Sequence, residues 1–313
     1  MNCLRLDAKN KRLRLVKSPI PKVEAEDEIV IRVAFAGLCG TDLHIVENKF
    51  QAVDGIVLGH EFVGTVAEVH KENKKFKVGD RVLVNPNIQC GICENCRKEK
   101  FNFCKAGGLN YCLGISTDGG FAEYCKVRIT VTFQLPDSVR FDQAVLGEPL
   151  SCVTHALDVI GHIEVGKKIL IVGAGIIGLL WSCVLHFMGH RNVFIVQRTI
   201  KRRESFNKLN LGYKALSWED LDDCMKKHPD FKFDLIIDTS GNVQAMEKAV
   251  SLLEVGGKLA IFGVADPDLR ISVSPFDLYK KELTIVGTAI NTNLSILKSI
   301  DLLAAMGDKY VQQ

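Results

Sequence analysis

Cys90, Cys93, Cys96 and Cys104 fall in one short stretch, CGICENCRKEKFNFC, separated by two, two and seven residues. Four thiolates on short loops can close a tetrahedral shell around one zinc ion, and a shell with no open position is structural rather than catalytic. Disulfides or unrelated thiols are the alternatives; the glycine and asparagine turn residues between the cysteines favour the metal. A chemically different set of ligand-type residues lies on either side. Cys39 sits in GLCGTDLH, His60 and Glu61 in GHEFVG, and Glu148 in GEPLS. A thiolate, an imidazole and a carboxylate around zinc leave one tetrahedral position for water or an alcohol. Spacing alone does not decide that set, because a lone His or Glu is usually structural.

A third chemical signal is the turn Gly173-Ala174-Gly175-Ile176-Ile177-Gly178. Gly173 permits a tight turn, Gly175 lets the backbone approach a pyrophosphate, and Gly178 lets the helix opening at Ile176 and Ile177 pack on the preceding strand. A carboxylate at the end of the next strand would bind the ribose 2'-hydroxyl of NAD. The sequence has Gln197 there, then Arg198, Lys201, Arg202 and Arg203. Cations suit a 2'-phosphate, so the run favours NADP over NAD; a solvated basic helix start is the alternative. Gly263 and Val264, closing a later strand-like run, are further candidate cofactor contacts.

Two kinds of element must position these residues. Before about residue 150, short β-branched runs (Glu28 to Phe35, Gly64 to Val69, Asp80 to Val84) alternate with turn residues, a mainly β pattern. After it, strand-like and helix-like runs alternate: Lys168 to Val172, Ile176 to Met188, Val193 to Val196, Asp234 to Asp238, Gly257 to Val264. That alternation predicts a doubly wound parallel sheet. From about Ser274 the pattern is mixed again, which suggests that the first lobe reclaims the chain.

The 313 residues suffice for about two domains, and a net charge of +3 argues for neither nucleic acid nor a membrane surface. Eleven cysteines, an odd number, without a signal-peptide pattern favour a reducing, cytoplasmic setting. Cys3, Cys112, Cys125, Cys152 and Cys183 match no ligand spacing and read as small buried hydrophobes. His155, His162, His186 and His190 belong to no paired motif.

Taken together, GHExxG at Gly59 to Gly64, CGTDxH at Cys39 to His44, the four-cysteine lobe, DGGFAEY at Asp118 to Tyr124, EPLS at Glu148 to Ser151 and the GAGxxG turn resemble the zinc-dependent medium-chain alcohol and polyol dehydrogenases, in the sorbitol, arabinitol and threonine dehydrogenase branch. The resemblance implies an α/β fold: a Rossmann doubly wound parallel sheet plus a mainly β, GroES-like catalytic domain with a zinc lobe. The expected limits are 1–149 for the catalytic domain, 88–106 for its zinc lobe, 150–275 for the dinucleotide domain and 276–313 for a return segment.

It also implies two zinc ions per chain. Cys39 and His60 would bind the catalytic zinc, Glu148 would stand where the family has Cys, Asp or Glu, and Glu61 would be an adjacent or exchanging ligand. Asp42 would accept from the far nitrogen of His60, or cap the helix after Cys39, or both. Zinc would acidify the substrate hydroxyl and hydride would pass to NADP, while the proton leaves through Thr41, the cofactor ribose and His44. The expected substrate is a small alcohol, a polyol in preference to threonine or butanediol, and the expected assembly a homodimer or homotetramer. The chain stops some thirty residues before the family's usual end, so an open sheet edge and a non-catalytic paralogue enter as alternatives.

Overall fold

The computed structural model describes residues 1–108 and 111–311, and the last two residues of the expected return segment, Gln312 and Gln313, lie outside them. The chain divides into one unit of Met1–Thr154 with Ile290–Val311 and a second of His155–Ala289.

In the first unit, β1 (Asn2–Asp7) and β2 (Arg12–Lys17) form an antiparallel pair. The main sheet is built from β3 (Glu28–Gly37), β4 (Glu61–Val69), β5 (Arg81–Val84), β6 (Tyr124–Arg128) and β7 (Thr132–Gln134), in the order β6-β3-β4-β5-β7 and antiparallel throughout. Ile29, Ile31, Phe62, Val66, Val82 and Val84 fill its core. Such alternation buries one face while backbone pairing joins neighbouring strands. The register that matters for chemistry is Gly37 opposite Glu61. It sets the end of β3, two residues before Cys39, beside the start of β4, one residue after His60. A side chain on Gly37 would displace the Glu61 carboxylate from its present position.

The second unit holds β8 (Ile169–Val172), β9 (Val193–Val196), β10 (Lys214–Leu216), β11 (Phe233–Asp238), β12 (Leu253–Ile261) and β13 (Thr284–Gly287). They pair in parallel in the order β10-β9-β8-β11-β12-β13. Each of the four residues of β8 is buried, as expected of a strand covered on both faces. Helices Ile176–Phe187, Ile200–Asn207, Trp218–Lys227, Val243–Ser251 and Pro275–Lys281 alternate with the strands. From β8 the chain winds first toward β10 and then, from β11, toward β13. The β8 end is therefore the topological switch point at which such sheets bind dinucleotides.

The boundaries differ from those read in the sequence. The first changeover comes after Thr154 rather than at 149, inside the helix Gly147–Ile160. The second comes after Ala289 rather than at 275, because β13 ladders onto β12 (Ile285 opposite Leu259) and Leu283 and Ile285 pack on the sheet's own core. No helix of the described residues is long and apolar enough to cross a membrane.

Candidate active site

The ligand atoms of Cys39, His60 and Glu61 all lie within 4.8 Å of one another. Cys39 ends the loop after β3 and N-caps the helix Gly40–Val46. His60 is held by its approach segment: Gly119, Phe121 and Gly120 donate their N–H groups to the carbonyls of Val57 (2.8 Å), Leu58 (2.9 Å) and Gly59 (2.7 Å). The DGGFAEY motif thus braces the strand entry that carries the imidazole.

Asp42, 1% exposed, turns its two oxygens to different neighbours. Its Oδ2 accepts from the backbone N–H of Cys39 at 2.9 Å, closing a box at the helix start. Its Oδ1 faces His60 Nδ1 at 3.5 Å, and neither of those buried atoms has a hydrogen-bond partner elsewhere. The capping and orienting readings of Asp42 are both compatible with this geometry. With Nδ1 turned to Asp42, Nε2 is the nitrogen left for a ligand position.

Glu148 is outside that three-residue cluster. It lies in the first turn of Gly147–Ile160, buried, with Oε1 accepting from Asn291 Nδ2 at 2.8 Å. Burial, and then the neighbouring Glu61, push its carboxyl up to about 8; burial also raises Glu61, partly countered by His60. Burial pulls the His60 pKa down, but Asp42, Cys39 and Glu148 outweigh it and lift the ring well above its ordinary value. Three buried acids and a thiol thus surround one imidazole, and neither Glu61 nor Glu148 pairs with a lysine or arginine among the described residues. A divalent cation is the partner such a site lacks electrostatically, and the donor set of sulfur, nitrogen and oxygen suits zinc.

The helix Gly40–Val46 carries Thr41, half-buried, and His44, exposed, one turn apart on one face. Cys90, Cys93, Cys96 and Cys104 converge with all sulfurs within 4.8 Å and no disulfide. The backbone N–H groups of Cys96 and Lys105 point at Cys93 and lower its thiol to about 6, whereas burial raises Cys96 to about 12. Amides aimed at sulfur favour thiolate, the form that binds metal.

In the second unit, Gly173 (φ +106°) and Gly178 form the turn after β8; a Cβ on Gly178 would run into the Gly173 carbonyl, while the space beside Gly175 is open. Ile176 and Ile177 open the helix, as expected. Gln197 follows β9 but turns inward, its Oε1 accepting from the Ala174 N–H at 2.9 Å. Arg198 and Arg202 are exposed. Arg203 Nη1 instead donates to the carbonyls of Gln197 (2.7 Å) and Arg198 (3.1 Å), fixing the loop. Gly263 and exposed Val264 lie past the end of β12, against Gly241 and Asp238.

Sequence reasoning missed several residues. Asn87 and Asn291 are buried and joined at 3.0 Å. Cys152, read as a plain hydrophobe, lies 4.0 Å from Glu148 Oε1, while Cys3, Cys112, Cys125 and Cys183 are buried. Thr239 Oγ1 donates to the Val172 carbonyl at 2.9 Å, bracing the glycine turn. The available signal was a pair of Asn-x-Asn triplets, residues 85–87 and 291–293.

Comparison with known proteins agrees with this architecture. Residues 25–137 match the alcohol dehydrogenase GroES-like domain family and residues 177–305 the zinc-binding dehydrogenase family. The chain is 35% identical to D-altritol 5-dehydrogenase of Agrobacterium fabrum, over 85% of this chain and 78% of that protein. It is 32% identical to L-threonine 3-dehydrogenase of Marinomonas sp., over 78% and 72%. A zinc-binding dehydrogenase from Sinorhizobium meliloti, solved with NADP, superposes with a TM-score of 0.87 at 28% identity, covering 97% and 88% of the two chains. An alcohol dehydrogenase from Escherichia coli, solved with NADH, gives 0.88 at 27%, covering 99% and 89%. Matched in both halves and sharing a third of its residues with a relative over most of its length, the chain belongs to the zinc-binding medium-chain alcohol and polyol dehydrogenases, oxidoreductases that act on CH–OH groups.

Proposed function

We propose that the protein oxidises a secondary alcohol of a polyol with NADP, using one zinc ion on Cys39, His60 and Glu61 with Glu148 beside them, and a second, structural zinc on Cys90, Cys93, Cys96 and Cys104. The observation that carries this reading is the convergence of a thiol, an imidazole and a carboxylate within 4.8 Å at the meeting of β3 and β4.

Zinc, when bound, supplies a Lewis acid that brings a hydroxyl pKa from the mid-teens toward about 7, and the nicotinamide supplies the hydride acceptor. The protein's own residues do the rest. Asp42 holds the His60 ring with Nδ1 protonated and ties it to the Cys39 backbone. Asn291 holds one oxygen of Glu148. Thr41 and His44, one helical turn apart, would carry the alcohol proton from a half-buried to an exposed position. The exposed guanidinium groups of Arg198 and Arg202 attract a 2'-phosphate, and Gln197 offers no carboxylate to a 2'-hydroxyl, its oxygen being committed to Ala174. The outer edge of β13 is the expected pairing edge of a homodimer or homotetramer.

A polyol is favoured over other alcohols by the likeness to D-altritol 5-dehydrogenase; the likeness to L-threonine 3-dehydrogenase keeps threonine as the second reading. The test is zinc content of the purified chain together with turnover on a panel of polyols, 2,3-butanediol and L-threonine, with NADP and NAD in parallel. Turnover of polyols confirms the first reading, turnover of threonine alone the second, and absence of turnover in a zinc-loaded protein overturns both.

A further inference from the structure

Two asparagine triplets about two hundred residues apart in sequence cross-pair in the first unit. Asn85 Nδ2 donates to Asn293 Oδ1 at 2.9 Å, and Asn87 Nδ2 donates to Asn291 Oδ1 at 3.0 Å. Asn291 Nδ2 then donates to Glu148 Oε1 at 2.8 Å. Asn85, Asn87 and Asn291 are 0%, 4% and 0% exposed. A backbone partner fixes the orientation of Asn85. Asn85 Oδ1 accepts from the Asn87 backbone N–H at 3.0 Å, so its nitrogen must face Asn293. Asn291 Oδ1 accepts from Asn87, and its nitrogen faces Glu148. The loop itself is pinned next to Asn291: Thr292 N donates to Ser295 Oγ at 2.7 Å, and Thr154 Oγ1, on the helix that carries Glu148, donates to the Ser295 carbonyl at 2.9 Å.

We propose that Asn291 is a positioning residue of the metal site: held by Asn87, its amide fixes Oε1 of Glu148 and so leaves the other carboxylate oxygen as the one presented to the cation. This inference rests on the zinc reading of Cys39, His60 and Glu61. Groups that orient the carboxylates of a metal site typically govern affinity by roughly tenfold to a hundredfold.

The test is a double-mutant cycle on the full chain, with zinc retained per chain measured against increasing chelator, and the catalytic-site zinc assigned as the one lost in Cys39→Ser. Asn291→Leu is expected to weaken that zinc by roughly tenfold to a hundredfold and to leave the four-cysteine zinc unchanged. In a Glu148→Ala background the same substitution is expected to change zinc retention by less than about twofold, because its only route to the metal is gone. Asn87→Leu, which leaves Asn291 in place but frees its amide, is the milder variant if Asn291→Leu does not fold; it should act in the same direction by a smaller factor and likewise lose its effect without Glu148. Equal losses in both backgrounds, or no loss in the native background, overturn the positioning role. A native protein that holds only one zinc, unaffected by Cys39→Ser, overturns the underlying zinc reading and this inference with it.

Discussion

Asp42→Asn separates the two roles proposed for one carboxylate, capping the helix start and orienting His60. The substitution keeps the size of the side chain but exchanges one oxygen for an NH2. The remaining oxygen belongs opposite the Cys39 N–H, now 2.9 Å from Oδ2, because an NH2 there would oppose donor to donor. The NH2 is then left facing His60 Nδ1, 3.5 Å from the present Oδ1 in a pocket where Asp42 is 1% exposed. Nδ1 becomes an acceptor, the ring proton moves to Nε2, and the nitrogen that must be bare to bind metal is blocked. Restoring the ligating tautomer sets donor against donor in a buried place, at a cost of about 1–3 kcal/mol. That converts to roughly a fivefold to hundredfold weaker hold on one zinc. Chelator titration with metal analysis measures it. Thermal melting of the metal-free protein supplies the control: Asp42→Asn keeps the helix-start bond and should melt close to the native protein, whereas Asp42→Ala also loses the cap, worth about 1 kcal/mol, and should fall by a few degrees. An Asp42→Asn protein that holds both zinc ions as firmly as the native chain would refute the orienting role.

Further outcomes are expected from the other sites. Cys39→Ser should lose one zinc and nearly all turnover while folding normally, and Cys96→Ser should lose the other and lower the melting temperature; metal analysis and melting curves check both. Calorimetry should show NADP binding tighter than NAD by roughly tenfold to a hundredfold before desolvation is subtracted. Gln197→Asp with Arg198→Leu should reverse that order, and equal affinities in the unmodified protein would leave Arg198 and Arg202 as mere surface. Gly178→Ala should abolish dinucleotide binding, since a methyl group there meets the Gly173 carbonyl of the turn. Sedimentation at micromolar concentration should give a dimer or tetramer, and a clean monomer mass would remove the proposed pairing through β13.

The parts of the fold that the sequence made legible are those whose physics is local. The run Lys168 to Val172 is continuously apolar because β8 is buried on both faces, and the glycine turn follows directly from it. The second changeover between units comes after Ala289 because β13 ladders onto β12. The basic run was legible as charge but not as geometry. Arg203 looks in sequence like a third phosphate ligand, yet it spends Nη1 on two backbone carbonyls of its own loop.

The choice between Glu61 and Glu148 shows why a ligand set is harder to read than its members. Both are acids within a motif, and the resemblance puts Glu148 in the ligand position with Glu61 adjacent or exchanging. The sheet decides which one accompanies Cys39 and His60: pairing Gly37 with Glu61 draws the two strand ends together, and His60 comes with Glu61 because they are adjacent in the chain. Glu148 reaches the same neighbourhood from a helix, and its aim depends on Asn291, which is 143 residues away in sequence and is oriented in turn by Asn87. Strand register brings three candidate ligands together from two short motifs. The fourth group is placed by a chain of amides whose ends are far apart in sequence, and an Asn-x-Asn triplet acquires that role only when the fold brings its counterpart opposite.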